Sequence, residues 1–471
     1  MSDYDYQMSK LVKNIHCVGI GGSGMSGIAE VLLSLGYFVS GSDLVKTKTT
    51  ERLAQLGVVF SNNHAKENIK EADVVVYSSA VEKTNIEIKE AKALRIPTIS
   101  RAQMLAEIMR FRYGIAVAGS HGKTTTTSLI ATILADSGQD PTFIIGGVIK
   151  GAASNARLGA GRYLVAEADE SDGSFLMLHP LLAVLTNIDA DHLENYNEDF
   201  ELLKEAFLKF LRRLPFYGSA YICSDDENNL SLIDNVSANV VTYGLHKGAD
   251  FRAINLVHEN GNEIFDLQLP DKNVIESVKV KLSGVHNVQN TLASIAVSNN
   301  LGVPLPKILS SLKNFSGIDR RCQVYDNILL ANKKITLLDD YGHHPKEIQA
   351  ILDTISRRWS GRRLLLLFQP HRYSRTNNLF DQFVSVLSKV DKLFLLNIYS
   401  AGEKNLKGVT SENLAKAVRD RSDTEVKVVK SQNLTLENIV GSLVSENDLV
   451  LVMGAGSIGK IVENFMAKKH E

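Results

Sequence analysis

The segment Gly119-Ser120-His121-Gly122-Lys123-Thr124-Thr125 constrains this chain more than any other. The short apolar run Ile115 to Ala118 precedes it, and the helical stretch Thr124 to Ala135 follows. Strand, glycine-rich loop and helix in that order make a phosphate cradle. Glycines let backbone N–H groups approach the oxygens, and a helix N-terminus favours negative charge. Lys123 would reach the β- and γ-phosphates, and the Thr124 hydroxyl would meet Mg²⁺. The usual pattern has a further glycine five residues before Gly122; Val117 stands there, so the loop is a shortened variant.

Two more strands end in matching chemistry. Arg162 to Glu167 runs into Glu167-Ala168-Asp169-Glu170-Ser171-Asp172, four acids in six residues. Such a run suits a hard cation beside phosphates. Leu182 to Asn187 closes on Asn187-Ile188-Asp189-Ala190-Asp191-His192. Ligands of open α/β sheets collect at the strands' carboxyl ends, so the three ends are expected to converge.

Upstream, Asn14 to Ile20 reads as a buried strand, Ser26 to Leu35 as a helix, and Tyr37 to Gly41 and Asp73 to Ser78 as further strands. Gly19-Ile20-Gly21-Gly22-Ser23-Gly24 fits G-x-G-x-x-G, and Asp43 follows about 20 residues on. Read plainly, this is a dinucleotide fingerprint, and an NAD-dependent oxidoreductase is an open alternative. A nucleotide-sugar diphosphate meets the same physics. The near-copy Gly454 to Gly459, after the strand Asp448 to Met453, reads as a close-packed turn.

Downstream, Asp199 to Leu214 has helical spacing, residues 249–281 read as hairpins with a turn at Glu259-Asn260-Gly261-Asn262, and Val285 to Asn299 reads as a helix. Ile335 to Asp339, Arg363 to Phe368 and Lys392 to Leu396 are strands of a third block. Asp339 to Pro345 and Gln369 to Thr376 follow two of them. The adjacent His343 and His344 cannot share a helix face, which disfavours zinc; the Arg and His cluster suits anionic substrates.

The β-α pattern restarts near residues 110 and 318, and 471 residues suggest roughly three domains. The expected fold is α/β: a Rossmann-like domain over 1–110, a central P-loop-type ATP-binding α/β domain over 111–318 and a Rossmann-like domain over 319–471.

Charge and composition exclude other classes. A net charge of −1 with no basic stripe argues against nucleic acid as a partner. The most apolar run, Leu364 to Phe368, is far below the ~20 residues needed to cross a membrane. Cys17, Cys223 and Cys322 imply neither a disulfide framework nor a zinc site, and Met1 to Lys10 is polar and acidic rather than a signal peptide. A cytoplasmic protein is expected, as monomer or homodimer.

Taken together, Gly119 to Thr125, Glu167 to Asp172, Asp191-His192, His286 to Asn290 and Asp340 to Pro345 resemble the Mur ligases, ATP-dependent amide ligases of peptidoglycan synthesis. The resemblance runs from about residue 12 to 465. Gly19 to Gly27, the acidic stretch and Gln369 to Tyr373 resemble the members that join L-alanine to UDP-N-acetylmuramate. The recycling ligases, which attach whole peptides to that sugar, usually differ at the position of Ser171.

The resemblance implies roles. Gly119, Ser120, His121, Gly122, Lys123, Thr124 and Thr125 would bind ATP, with Asn287, Asn290, Arg321 and Asp340. Thr124 and Glu167 would hold one Mg²⁺ and His192 would help with a second, which makes Lys123, Glu167 and His192 the catalytic set. Gly19, Gly21, Gly22, Ser23, Gly24 and Asp43 would take the UDP-sugar. His343, His371, Arg372 and Arg375 would sit near the sugar lactyl or amino-acid carboxylates. Several relatives carry a carbamylated lysine about 15 residues after the residue matching His192; here Phe207 stands there, flanked by Lys204 and Lys209.

Overall fold

The structure is a computed structural model that describes residues 12–78, 80–150, 154–259, 261–430 and 434–470. It contains three sheets. The first is five-stranded, order β3-β2-β1-β4-β5, with β1 Asn14–Val18, β2 Phe38–Ser42, β3 Val59–Ser61, β4 Val74–Tyr77 and β5 Thr98–Ser100, all parallel. Helices α1 Ser23–Ser34, α2 Lys48–Leu56, α3 Ile86–Ala93 and α4 Arg101–Met109 connect it. Local signals explain the ends. Thr47 with Thr50, and Ser100 with Gln103, form capping boxes for α2 and α4, and Gly57 ends α2 in the left-handed conformation.

The second sheet is ten-stranded, order β15-β14-β13-β12-β11-β10-β6-β9-β7-β8. Its strands are β6 Tyr113–Ala118, β7 Thr142–Ile144, β8 Ala156–Arg157, β9 Tyr163–Glu167, β10 Leu182–Leu185, β11 Ser219–Cys223, β12 Asn239–Gly244, β13 Phe251–Glu259, β14 Asn262–Gln268 and β15 Val274–Val280. Helices α5 Lys123–Asp136, α6 Phe200–Leu211, α7 Glu227–Leu230, α8 Val285–Asn300 and α9 Leu305–Asn314 accompany it. The hairpin reading of 249–281 holds for the antiparallel pair β14 and β15. Asn260, in the turn before β14, lies outside the described residues.

The third sheet has order β16-β17-β21-β18-β19-β20. Its strands are β16 Gln323–Leu330, β17 Lys333–Asp340, β18 Leu364–Phe368, β19 Lys392–Leu396, β20 Glu425–Val429 and β21 Leu449–Met453. Its helices are α10 Pro345–Arg358, α11 Tyr373–Asn378, α12 Phe380–Leu387, α13 Ser411–Arg421, α14 Leu436–Val440 and α15 Gly459–His470. Leu364, Leu366 and Phe368 enter the core on one face of β18, Leu365 and Leu367 that on the other. A parallel strand covered on both sides therefore reads as an unbroken apolar run.

The chain forms two compact units. One runs from the first described residue to Val257, with Glu263–Lys281 and Val285–Ser316; the other holds His258–Asn262, Leu282–Gly284 and Gly317 onward. The first two sheets thus share a unit, although the sequence pattern restarts between them. One apolar core includes Ile15 and Val39 of the first sheet, Met104 and Leu105 of α4, and Ala116 and Leu164 of the second. Glu30 of α1 also accepts from the Ser154 hydroxyl at 2.5 Å and pairs with Arg52. Among the described residues no helix is long and apolar enough to cross a membrane.

Candidate active site

The loop after β6 adopts the shape its glycines permit. Gly119 and Gly122 sit at φ 129° and 84°, where a side chain is strained. A Cβ at Gly119 would collide with the Thr186 hydroxyl and with the Asn187 backbone, and one at Gly122 would lie 2.5 Å from Asn290 Oδ1. The third strand end closes on this loop. Ser120 N–H donates to Asn187 O at 3.0 Å, His121 N–H to Asn187 Oδ1 at 2.9 Å, and the Thr186 hydroxyl to His121 O at 2.6 Å. His121 Nε2 lies 3.0 Å from Asp189 Oδ2.

The acidic strand end meets the same loop. Lys123 Nζ donates to Glu170 at 2.8 and 3.0 Å, to Gly119 O at 2.5 Å and to Ser120 O at 3.2 Å. Burial alone would lower the Lys123 ammonium; the Glu170, Asp169 and Glu167 carboxylates outweigh it and hold it above its ordinary value. Glu167 Oε1 accepts from Gly146 N–H at 2.7 Å. The buried Tyr196 hydroxyl donates to Glu170 O at 2.5 Å. His192 sits in the left-handed region at φ 57°, with Asp191 at 3.6 Å and Glu194 at 3.7 Å.

The three strand ends anticipated from sequence therefore come together. Glu170 and Asp189, not among the expected site residues, hold the loop's Lys123 and His121. Both lie in segments whose chemistry was legible; which acid faces the loop depends on β9 and β10 flanking β6. Asn290 Oδ1 accepts from Thr126 of α5 at 3.1 Å, and Asn290 donates to Asn287 at 3.2 Å. This asparagine pair thus braces α8 against the loop's helix. Thr124 and Thr125 are buried in the first turn of α5.

The glycine loop after β1 is shaped by the end of β2. Gly19 and Ile20 N–H both donate to Ser42 O, at 2.9 and 3.1 Å, so the strand expected to reach Ile20 stops at Val18. Asp43 Oδ2 accepts from Gly21 N–H at 2.9 Å, and Gly22 N–H donates to Gly19 O at 3.3 Å. Ser23 opens α1; its side chain lies outside the described residues. Beneath the loop, Glu87 accepts from the Ser42 hydroxyl at 2.6 Å, His64 Nδ1 lies 3.0 Å from it, and Asn68 donates to it at 2.6 Å.

In the second unit the expected residues gather at the carboxyl ends of β17, β18 and β19. Asp340 accepts from Cys322 N–H and Gly342 N–H, both at 2.7 Å, and burial raises its carboxyl above the ordinary range despite Arg321. Arg321 lies 5.2 Å from the centre of the Tyr341 ring. The His343 ring is 5.4 Å from His371, which stacks on Tyr399 at 5.4 Å and 12°. The buried Arg375 guanidinium lies 3.3 Å from His371 Nδ1. Arg372 has φ 68° and donates its N–H to Tyr399 O at 2.8 Å. Gln369, in a segment singled out from sequence but not among the expected site residues, accepts from Ile458 N–H at 3.0 Å and pairs with Ser457, so the Gly454 to Gly459 segment is a turn closed by protein.

Comparison with known proteins matches this geometry to one family over most of the chain. Residues 14–113 match the Mur ligase family catalytic domain, 117–298 the Mur ligase middle domain, and 320–456 the Mur ligase glutamate ligase domain. A UDP-N-acetylmuramate–L-alanine ligase of Xylella fastidiosa is 51% identical over 453 residues, 96% of this chain and 94% of that protein. The enzyme of the same name from Dichelobacter nodosus is 48% identical over 452 residues, covering 96% and 95%. Among solved structures, the UDP-N-acetylmuramate-alanine ligase of Thermotoga maritima superposes with a TM-score of 0.80 at 28% identity, covering 97% of this chain and 100% of that one. A murein peptide ligase of Psychrobacter arcticus shares the fold, with a TM-score of 0.71 at 24% identity over 97% and 98% of the two chains. With three consecutive domain matches and relatives near half identity along almost its whole length, the chain belongs to the Mur ligase family.

Proposed function

We propose that the chain joins L-alanine to the lactyl carboxylate of UDP-N-acetylmuramate, using ATP, in the cytoplasmic stage of peptidoglycan synthesis. One observation carries the reading: the first unit holds two phosphate-type loops of different design. The loop after β6 presents Lys123 beside an acidic strand end, as phosphoryl transfer requires. The loop after β1 is glycine-lined and suits an anchoring diphosphate. A nicotinamide enzyme needs the second loop and leaves the first without a purpose. The relatives near half identity carry the alanine-adding name, which favours this amine over a peptide.

The chemistry follows from the weakness of a carboxylate as electrophile. A lactyl oxygen attacks the γ-phosphorus of ATP, the bond to the bridging oxygen breaks, and ADP leaves. The resulting acyl phosphate is attacked by the alanine amine, which loses a proton, and the tetrahedral intermediate expels inorganic phosphate. Lys123 and the loop N–H groups neutralise and align the transferring group. Thr124 and Glu167 offer the hard oxygen donors that Mg²⁺ prefers, and His192 belongs to the same group of strand ends. Bound there, Mg²⁺ supplies charge neutralisation on the phosphate oxygens. Arg372, Arg375, His343 and His371 would take the carboxylates, with Arg321 and Asp340 on the nucleotide side. The proposed division is 1–110 for the UDP-sugar, 111–318 for ATP and 319–471 for closing the site.

The test is phosphate release from ATP with UDP-N-acetylmuramate and, separately, L-alanine, a tripeptide or no amine. Release that needs both the sugar nucleotide and L-alanine is expected. Release with the peptide alone makes the chain a recycling ligase. No release in any mixture, with tight NAD binding, removes the ligase reading.

A further inference from the structure

Glu87 is fully buried, and the proposed function gives it no role. It sits in the first turn of α3, where the Asn85 side chain accepts from Glu87 N–H at 2.8 Å and the helix N-terminus favours a negative charge. Residues of β1, β2 and the segment 64–68 converge on its carboxylate. The Ser42 hydroxyl donates to it at 2.6 Å, Asn68 Nδ2 at 2.6 Å and Ala65 N–H at 3.3 Å. His64 Nδ1 stands 3.0 Å away and His16 Nε2 3.7 Å away. Such a cluster is a poor way to gain stability. A buried carboxylate loses its hydration, and hydrocarbon of similar volume often serves a core as well or better. His16 Nε2 is itself buried without a hydrogen-bond partner, so the network is not closed on itself. Polar groups kept under those conditions point to a geometry that has to be held.

That geometry passes through Ser42. Its buried hydroxyl is tied to Glu87 and lies 3.0 Å from His64 Nδ1. Its carbonyl accepts from Gly19 N–H and Ile20 N–H, and the next residue, Asp43, accepts from Gly21 N–H at 2.9 Å. Successive N–H groups at the start of the glycine loop are thus held by the end of β2. There is little room for the two to slide. A Cβ at Gly41 would lie 2.5 Å from Ile20 Cδ1 and 2.7 Å from Cys17 O. The anchor of this end of β2 is the carboxylate on α3.

We propose that Glu87 acts through Ser42 as a positioning residue for the sugar nucleotide. The carboxylate fixes the end of β2, the end of β2 fixes the Gly19 to Gly21 backbone, and that backbone sets how the chain enters α1. Glu87 meets no substrate in this scheme, and the proposal rests on the first domain taking a UDP-sugar. Holding a binding loop ready in this way raises affinity for its ligand and leaves the chemistry at the other loop alone.

The experiment is a double-mutant cycle on the full-length protein: wild type, Ser42→Ala, Glu87→Gln and the two changes together. Each is titrated calorimetrically with UDP and with UDP-N-acetylmuramate, alongside steady-state kinetics, at a temperature where near-UV circular dichroism shows it folded. Each single change is expected to weaken both ligands by about tenfold. The double variant should bind no more weakly than the weaker single one, because the second change removes a link already broken. The KM for the sugar nucleotide should rise in step, with kcat and the KM for ATP within about twofold. Losses that multiply to about a hundredfold in the double variant would overturn the proposal, since Glu87 and Ser42 would then act independently. Unchanged UDP affinity in Ser42→Ala would also overturn it. That arm holds even where Glu87→Gln fails to fold, because Ser42→Ala leaves Glu87 its Asn68 and Ala65 donors. An equal rise in both KM values would reduce the cluster to a stabilising role and overturn it too. All three outcomes leave the ligase reading intact, whereas a wild type that binds neither UDP nor UDP-N-acetylmuramate would remove that reading and the proposal with it.

Discussion

Lys123 donates to both carboxylate oxygens of Glu170, at 2.8 and 3.0 Å, and Glu170 is 2% exposed. In the proposed function this pair stands beside the phosphoryl group to be transferred. Breaking a buried pair by removing one charge strands the other. Glu170→Gln is therefore expected to lower stability by about 3 kcal/mol in urea unfolding. ATP supplies the lost anion, so the rise in Tm on adding ATP should be larger in the variant than in the wild type. An equal or smaller rise would show that Lys123 does not depend on Glu170 for its charge balance.

Lys123→Ala should abolish ATP turnover while sugar-nucleotide affinity stays within about twofold, because the two phosphate-type loops have separate backbones. Wild-type phosphate release from that variant would refute the loop's role.

Glycines separate strain from collision. Gly138 has φ 85° with nothing within 4 Å of an added Cβ, whereas Gly119 faces Thr186 and Asn187. Gly138→Ala should cost about 1 kcal/mol and leave activity intact. Gly119→Ala should reduce kcat/KM for ATP by more than about a hundredfold, since the loop cannot close on the end of β10. Similar activities for the two variants would contradict this account.

Glu87 gives the first unit an acid-sensitive anchor. Burial alone would raise its carboxyl, but the His16 ring 3.7 Å away and hydrogen bonds from Ser42 and Asn68 bring it from 4.5 to about 2. A depressed carboxyl stabilises the fold above its unfolded value and loses that contribution as pH falls through the folded one. About 3 kcal/mol is present near neutrality and disappears between roughly pH 4.5 and pH 2. The stability gap between wild type and Glu87→Gln, followed by denaturant unfolding, should shrink over that window. A gap independent of pH would mean that Glu87 titrates normally.

Asp339 has the opposite sign. Burial raises it to about 6 although Arg320 pulls it down. Its contribution is full below about 3.8 and is lost as pH rises through about 6, so by itself it makes the second unit less stable at neutral pH. Carboxyl carbon shifts in ¹³C NMR should show a midpoint near 6; a midpoint below 4.5 would mean that Arg320 dominates.

Much of this was legible because each clue was local. The loop Gly119 to Thr125 needs only a strand before it and a helix after it, and both are there. What was not legible depends on distant chain. Arg101 follows a three-residue strand and carries no motif; its packing against Gly24, far away in sequence, appears only once the chain folds. The edge strand β16 escaped because polar residues and a register shift between Tyr325 and Ile328 break its alternation. The restart near residue 110 was real as a pattern, but α4 carries the core of the first sheet into the second, which sequence periodicity cannot reveal.

Phe207 lies in the core with its ring 5.3 Å from Phe175, and Phe210 stacks on the same ring at 5.2 Å. The flanking Lys204 and Lys209 are engaged by Glu201 and Glu205. The position at which the resemblance implies a modified lysine in several relatives is thus filled with buried hydrocarbon. A phenyl ring has no nitrogen that could form a carbamate, so position 207 itself offers no oxygen ligand to a cation.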